Sequence, residues 1–236
     1  MDTVKPFQGL RIHELVFITF IRKVEQLLEI SSRQTKKSDS EVIQFSAVVF
    51  LIAIWQDYLT YLVKDSFETM IGFANDPHHI PMRVLTLASK EIRENKDESL
   101  VWRLSGAGWK EVLSEYFQKN IGSFKTPNHD KIDTLFERTL GKKKLSENWK
   151  WNGMTSVKAI KMLDEILIIR HELAHKGRTK HTINKMNLEK YIHFIHRLVV
   201  CTNNSVAAYL KKELGKDIYE KLIYKGEIGR FERKNV

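Results

Sequence analysis

The residues most able to do chemistry lie together in one short segment, RHELAHKGRTKH, at positions 170–181. His171, Glu172 and His175 have the HExxH spacing of zinc proteases, and His181 stands where a third zinc ligand could follow. Two histidines one helical turn apart can bind one ion, while the glutamate activates its water. Arg170 precedes His175 by five positions, a spacing that also suits a ribonuclease site without metal. The segment therefore admits two chemistries.

The glycine of the extended zinc motif is out of register in this sequence. That motif has glycine at the seventh position after its first histidine, where the chain turns toward the third ligand. Here that position is Arg178, and the glycine comes one residue earlier, at Gly177. Such proteases also present a β-edge to their substrate and are commonly secreted, whereas this sequence predicts neither strands nor a signal peptide. A zinc protease remains a minor alternative, and we expect no metal or other cofactor.

Arg170 continues the predicted buried stripe of its helix. Leu163, Ile166 and Leu167 define that stripe, and Arg170 follows Ile166 by four residues and Leu167 by three. Burying this charge without a partner would be costly, so Arg170 needs either a carboxylate or an anionic substrate. Its fork of five N–H donors matches a phosphate group. The sequence leaves both partners open.

His175 adds the second function that RNA cleavage requires. It lies about 140° further round an ideal helix than Arg170, but the helix stop expected at Gly177 would let its side chain swing toward the arginine. The arginine can neutralise the scissile phosphate, and a histidine can take the proton of the 2′-hydroxyl or deliver one to the leaving oxygen. No metal is required, because the nucleophile belongs to the substrate.

Positive charge dominates both this segment and the whole chain. Four basic side chains follow the motif directly: Lys176, Arg178, Lys180 and His181. The 236 residues carry a formal net charge of +10, which favours polyanions such as RNA, DNA or an anionic membrane surface. The alternative is a solvated surface whose cations complement a helix end. We expect Lys176, Arg178 and Lys180 to guide an RNA backbone without reading its sequence.

The elements that position these residues are predicted to be helices. There are 4 prolines and 11 glycines, too few for a turn-rich β protein, and apolar residues recur at helical spacing. We therefore predict an all-α fold in which the second helix is central. The predicted helices cover about 11–30, 41–73, 82–93, a short stretch around Leu100, 109–121, a short helix ending near Gly141, 155–174 and 187–214.

Three features bear on the location of the chain. Cys201 is the one cysteine, which excludes an intramolecular disulfide and suits a reducing cytoplasm. The amino terminus lacks the basic start, apolar run and cleavage site of a secretory signal. The most apolar stretch, Phe45 to Trp55, is about half the length that a membrane span needs. We expect a cytoplasmic protein that does not enter a membrane.

With these features the sequence resembles the HEPN superfamily, helical nucleotide-binding and ribonuclease domains. Their motif is an arginine, usually followed by Asn, Asp or His, and then a histidine four to six residues further. Arg170, His171 and His175 match it. FKTPNHDKIDTLFERTLG at 124–141, the Trp-containing connector after it and the apolar helix ending in AIWQDYLTYLV are similar to the RiboL-PSP-HEPN branch. The resemblance spans about residues 10–212.

The resemblance implies a HEPN-like helical bundle with additional helices and a metal-independent endoribonuclease activity that leaves a 2′,3′-cyclic phosphate. It also implies a homodimer in which motif residues of two protomers face one cleft. Arg170 would hold the phosphate, and His175 would be acid or base. His171 would orient the phosphate or its partner across the dimer, and Glu172 would steady an Arg or His.

Family members often serve as toxins of toxin–antitoxin pairs or in antiphage defence. Besides RNA, an antitoxin or defence-system protein is therefore an expected partner. Other members have lost activity and only bind, so a non-catalytic RNA- or protein-binding module is the alternative function. We predict a single domain over 1–214 and a peripheral basic extension over 215–236.

Overall fold

Helices make up most of the computed structural model, which describes residues 11–94 and 103–234. In this part of the chain the α-helices are α1 (Ile12–Ser32), α2 (Lys37–Phe73), α3 (Met82–Glu94), α4 (Gly108–Ser123), α5 (His129–Leu140), α6 (Ser156–Lys176) and α7 (Lys185–Leu214). Short 3-10 helices cover Pro77–His79 and Leu145–Asn148. The predicted all-α class is confirmed. The short helix predicted around Leu100 lies outside the described residues.

The loop predicted between the first two helices is shorter than its serine-rich sequence indicates. We predicted that α2 begins near Glu41, but it begins at Lys37, and α1 continues to Ser32. The reason is a set of hydrogen bonds between the two helix ends. Ser31 and Ser40 are joined through their hydroxyl oxygens at 2.8 Å, and the Gln44 amide donates to the Ser31 hydroxyl at 2.9 Å. The polar residues therefore tie the helices together instead of forming a long loop.

The chain divides into two compact units, each assembled from separated segments. The first contains the described residues of 11–62, 161–200 and 222–234, and it includes the whole RHELAHKGRTKH segment. The second contains the described residues of 63–160 and 201–221. The boundaries fall inside α2, α6 and α7 and inside the short strand Lys221–Ile223.

Aromatic packing forms the core of the second unit. The Phe67 and Phe117 rings stack with their centroids 4.0 Å apart. Trp149, which follows the second 3-10 helix, is fully buried, and its indole N–H donates to the Thr202 hydroxyl at 3.0 Å. The Trp-containing connector that resembles the RiboL-PSP-HEPN branch is therefore a packed element of this unit.

The long helix α2 has a buried face, as we expected of a central helix. Trp55, Tyr58 and Leu59 are fully buried. Within the first unit, the Tyr58 hydroxyl donates to the Val199 carbonyl at 3.3 Å. By length and composition alone α2 could cross a membrane, since it has 37 residues and an 18-residue window of mean hydropathy 1.6. Half of that window is buried inside the protein, and core helices of soluble proteins share these properties.

The segment after Gly215, which we predicted as a peripheral basic extension, contains buried side chains and two short strands. Strands β1 (Lys221–Ile223) and β2 (Glu232–Lys234) pair in one small two-stranded sheet. In the first unit, Leu222 and Tyr224 are 2% and 5% exposed. Leu222 and Tyr224 lie two residues apart at strand β1, so both side chains point inward, while Lys221 and Lys225 on either side of this pair are exposed.

Helix α7 carries a histidine into the core of the first unit. His196 is fully buried, and neither ring nitrogen has a hydrogen-bond partner among the described residues. The centroid of its ring lies 4.2 Å from that of Tyr224, 5.1 Å from that of Phe17 and 4.6 Å from that of Phe231. Burial is the main cause that lowers the pKa of His196 to about 3. The side chain is therefore neutral and packs as an aromatic ring.

We predict that acid destabilises the fold through His196. In the unfolded chain the imidazole binds a proton as the pH falls below 6.5, whereas in the folded protein its pKa is about 3. This contribution to the free energy of unfolding is complete above pH 6.5 and is lost progressively as the pH falls toward 3. Urea unfolding at about pH 7 and about pH 4.5 measures how much free energy of unfolding is lost in acid. This loss should be smaller in His196→Phe than in the wild-type protein by a few kcal/mol.

The matched control for this experiment is His78→Phe, because the His78 side chain is 92% exposed. It should lose as much stability in acid as the wild-type protein does. An equal acid-induced loss in His196→Phe and wild type would contradict the assignment.

Candidate functional site

Helix α6 positions the motif residues. It begins after Thr155, whose hydroxyl accepts a hydrogen bond from the Lys158 backbone N–H at 3.3 Å. It ends at Lys176, before Gly177, which has a φ of +64°. This left-handed conformation favours glycine, so the predicted stop at Gly177 is confirmed.

The buried stripe of α6 agrees in part with the predicted one. Leu163 and Ile166 are fully buried, as predicted. Leu167 is only half-buried, and Ile169 is fully buried instead. The stripe thus follows a spacing of three residues over 163, 166 and 169, and Arg170 lies beside its edge rather than at its centre.

Arg170 is half-buried and lacks a carboxylate partner in the described part of the chain. Its Nε atom is buried and has no hydrogen-bond partner there, and no ion pair to its guanidinium is present among the described residues. A buried donor without a partner costs free energy comparable to a lost hydrogen bond. Of the two partners that the sequence left open, the carboxylate is therefore not provided by these residues. An external anion would satisfy the guanidinium.

The two motif histidines contact each other. The rings of His171 and His175 are both exposed, with centroids 4.5 Å apart and planes inclined by 50°. No hydrogen bond joins the His175 and Arg170 side chains within the described residues. Among those residues, no group of three His, Cys, Asp or Glu side chains converges as a metal-binding set. His181 therefore does not join the histidine pair as a third ligand.

Glu172 bonds to a threonine that the sequence did not indicate. We expected Glu172 to steady an Arg or His, but its carboxylate accepts a hydrogen bond from the Thr179 hydroxyl at 2.6 Å. This hydrogen bond is the main cause that lowers the pKa of Glu172, and the positive charge of Lys176 lowers it further. The sequence does show a threonine two residues after Gly177, the glycine that ends the helix. Its hydroxyl can reach Glu172 only because the chain reverses direction there, which the sequence does not show.

The three predicted RNA-binding cations are free to meet a ligand. Lys176, Arg178 and Lys180 are all exposed, and none takes part in an ion pair with another described residue. Arg178 and Lys180 flank Thr179 in the loop that follows α6. They lie in the same unit as Arg170.

An apolar groove runs beside the end of α6 in the first unit. Its volume is about 470 Å³, and α2 supplies most of its wall. Val42 is 63% exposed at one end of this wall. The lining residues are Val42, Phe45, Ser46, Val49, Phe50, Ala53, Leu173 and Gly177. The groove was not predicted, because the helical pattern of α2 does not reveal which of its apolar faces remains uncovered.

Comparison with known families gives a match over most of the chain. The model of the family RiboL-PSP-HEPN matches residues 18–208, a span that includes Arg170, His171 and His175. The chain belongs to the RiboL-PSP-HEPN family. The resemblance stated from the sequence is thereby confirmed. No curated protein and no solved structure matches the chain.

Membership of the RiboL-PSP-HEPN family agrees with the helical architecture, since HEPN domains are all-α. It indicates a ribonuclease or an RNA-binding module. The family match stops before the β1–β2 segment. Within the first unit of this RiboL-PSP-HEPN protein, Tyr224 and Phe231 of that segment contact the His196 ring.

Proposed function

We propose that this chain is a metal-independent endoribonuclease in which Arg170 binds the scissile phosphate. The observation that carries the proposal is the Arg170 guanidinium, which is half-buried beside an apolar stripe with its Nε atom unpartnered among the described residues. The planar guanidinium group can donate hydrogen bonds to two phosphate oxygens at once. Family membership supports a ribonuclease or RNA-binding role for the same segment.

The chemistry needs two proton transfers. The 2′-hydroxyl oxygen attacks the adjacent phosphorus, its proton passes to a general base, and the bond from phosphorus to the 5′-oxygen breaks. A general acid protonates the 5′-oxygen, so the products end in a 2′,3′-cyclic phosphate and a 5′-hydroxyl. Arg170 stabilises the negative charge that develops on the phosphoryl oxygens. His175 supplies one of the proton transfers, and His171, in ring contact with it, orients it or the phosphate.

The exposed cations next to the site supply affinity without sequence readout. Lys176, Arg178 and Lys180 are close to the motif in the chain and make no ion pairs with other described residues. Contacts between such side chains and RNA phosphates release counterions, so binding should weaken as salt is raised.

A homodimer would provide two copies of Arg170 and His175 to one cleft, and so a base and an acid for the same reaction. The apolar groove beside α6 supports this part of the proposal. Val42 and Ala53 are exposed on its wall, and Leu173 belongs to the motif helix itself. Covering this groove with a second copy would remove apolar surface from water and would bring the two motif helices near each other.

We predict that Val42→Glu and Ala53→Glu weaken the dimer by at least about tenfold, because each would bury an unpaired carboxylate in the interface. Sedimentation equilibrium of the wild-type protein should give twice the 27.7 kDa mass of the chain, and the variants should shift toward the single-chain mass. Ile30→Glu is the control, since Ile30 is 45% exposed and does not line the groove. A wild-type protein of single-chain mass, or variants that remain dimers, would contradict this interface.

A non-catalytic RNA-binding module is the second candidate function. The observation that favours it is the ring contact of His175 with His171, together with the absence of a hydrogen bond between His175 and Arg170 among the described residues. In this alternative the cations hold RNA and the motif does not cleave it. Both candidate functions predict RNA binding that weakens with salt. Only the first predicts RNA cleavage products, so the appearance of these products distinguishes the two.

The test of the proposal is incubation of the purified protein with mixed RNA in the presence of EDTA. The expected result is fragments that carry a 2′,3′-cyclic phosphate. An RNA with a single 2′-deoxynucleotide should be resistant at that position, because the nucleophile is missing there. Intact RNA with retained binding would establish the second candidate, and cleavage abolished by EDTA would contradict the first.

The biological role that we propose is that of a toxin or an antiphage effector in the cytoplasm, with RNA as its substrate. A second protein, an antitoxin or a component of the same defence system, would control it. The genes that neighbour this one test the proposal directly. Toxicity on expression that disappears in the Arg170→Ala variant would support it, and equal toxicity of both forms would count against it.

A further inference from the structure

The loop after α6 is joined to the motif helix α6 by a side-chain hydrogen bond. Its residues 177–184 contain Arg178, Lys180 and His181. The Thr179 hydroxyl donates to the Glu172 carboxylate at 2.6 Å, and it accepts a hydrogen bond from the His181 backbone N–H at 3.2 Å. One hydroxyl thus joins the middle of the loop to the helix and also fixes the next turn of the loop.

A second attachment lies at the far end of the loop. The Asn187 side chain on α7 donates to the Thr182 carbonyl at 2.8 Å, and Ile183 is 7% exposed. Between the two attachments the chain presents Lys180 and His181. The position of these cations is therefore determined by Thr179 on one side and by the Thr182–Ile183 anchor on the other.

Charge makes the attachment at Thr179 more important than an ordinary surface hydrogen bond. Residues 170–185 contain one carboxylate, Glu172, and a set of lysines and arginines. The latter are Arg170, Lys176, Arg178, Lys180 and Lys185. The neighbouring cations stabilise the Glu172 carboxylate, whose pKa is lowered by Thr179 first and by Lys176, His181 and Lys180 after it. Without this carboxylate and its bond to Thr179, like charges would push the loop away from α6.

We propose that Thr179 is a positioning residue for RNA, which holds Arg178 and Lys180 beside the motif helix through its hydrogen bond to Glu172. This inference rests on the proposed function, since it names the part of the site that preorganises the phosphate-binding cations. A loop that is ordered before binding loses less conformational entropy when RNA binds. Thr179 therefore acts on affinity for RNA, and the chemical step depends on Arg170 and His175 instead.

Thr179→Val removes the hydroxyl and keeps a side chain of similar shape, so it leaves Glu172 without its donor. The expected result is a Kd for RNA that is about threefold to tenfold higher than that of the wild-type protein. The probe is a fluorescein-labelled 2′-O-methyl RNA of mixed sequence, which cannot be cleaved because its 2′-oxygen carries no proton. Fluorescence anisotropy in EDTA measures its Kd. With cleavable RNA, KM should rise by a similar factor while kcat stays within about twofold.

Two further variants separate positioning from a general structural effect. Thr179→Ser keeps the hydroxyl and should restore the wild-type Kd. Thr86→Val makes the same change at an exposed side chain on α3 in the second unit, where it also removes a hydrogen bond, from the Thr86 hydroxyl to the Met82 carbonyl at 2.8 Å, and it should leave the Kd unchanged. A Kd unchanged in Thr179→Val, or one that Thr179→Ser does not restore, would overturn the inference.

The experiment also distinguishes failure of this inference from failure of the proposed function. If the wild-type protein binds the 2′-O-methyl RNA but leaves ordinary RNA intact, the proposed cleavage is wrong, and a raised Kd in Thr179→Val still supports the positioning role. If the wild-type protein cleaves RNA and Thr179→Val has the wild-type Kd and KM, only the positioning role is wrong. A wild-type protein that does not bind RNA at all overturns both.

Discussion

Replacing Arg170 with alanine is expected to lower the rate of RNA cleavage by about a hundredfold to a thousandfold. The guanidinium is the group that we propose to stabilise the transition-state phosphate, and its buried Nε atom has no hydrogen-bond partner among the described residues. Arg170→Lys should recover only part of the rate, because an ammonium retains the charge but lacks the two-pronged geometry. The measurement is single-turnover cleavage in EDTA, with saturating protein so that binding does not limit the rate.

The free energy of unfolding of the Arg170→Ala variant shows whether a loss of activity comes from a loss of stability. Its Nε atom is buried and unpartnered among the described residues, so its removal should leave the free energy of unfolding unchanged or raise it. Arg33→Ala is the matched surface variant, since the Arg33 side chain is 76% exposed. The expected pattern is lost activity with retained stability in Arg170→Ala and no change in Arg33→Ala. A rate in Arg170→Ala equal to that of the wild-type protein would remove the proposed mechanism.

Replacing His175 with alanine is expected to lower kcat by about a hundredfold to ten thousandfold, the usual contribution of a general acid or base. The side chain is exposed at the end of α6, so the substitution should not disturb the core. Free imidazole should restore part of the activity, because it can carry the proton that His175 no longer transfers. RNA binding should be retained, since the phosphate-binding cations are still present. The measurement is the rate constant for cleavage under single-turnover conditions, with and without imidazole.

His171 and His78 provide the comparisons for His175. His171→Ala should reduce kcat less than His175→Ala does, because we propose that His171 orients its neighbour and does not transfer the proton. His78→Ala changes a histidine whose side chain is 92% exposed in the second unit, and it should have wild-type activity. If His171→Ala has the larger effect and imidazole restores it, the two histidines exchange the roles proposed here.

The helices could be predicted from the sequence because their information is local. Apolar spacing, the turn residues and the glycines after α5 and α6 lie within a few positions of the elements that they define. The RiboL-PSP-HEPN resemblance is likewise a property of the order of residues along the chain, and the family match over 18–208 confirms it. The burial of Tyr219, Leu222 and Tyr224 was not predicted, because these residues lie in a basic segment and their burial depends on residues that are distant in the chain.

The site could be predicted only as a set of residue types. Arg170, His171 and His175 were identified by spacing, but spacing does not show which atoms meet. The contact of His175 with His171 depends on side-chain rotamers, and the bond from Thr179 to Glu172 depends on how the chain reverses after Gly177. His196 was not among the predicted core residues, because a polar residue type does not reveal a position surrounded by Phe17, Tyr224 and Phe231.

The sequence by itself determined the helical class, the family and the residue types of the candidate site, because these follow from periodicity and from a short motif within one helix. The tertiary structure decided the partner of each charged group. It leaves the Arg170 Nε atom unpartnered among the described residues, joins Glu172 to Thr179 and keeps Lys176, Arg178 and Lys180 exposed. Pairing and burial depend on residues that are distant in the chain, and only folding brings those residues together.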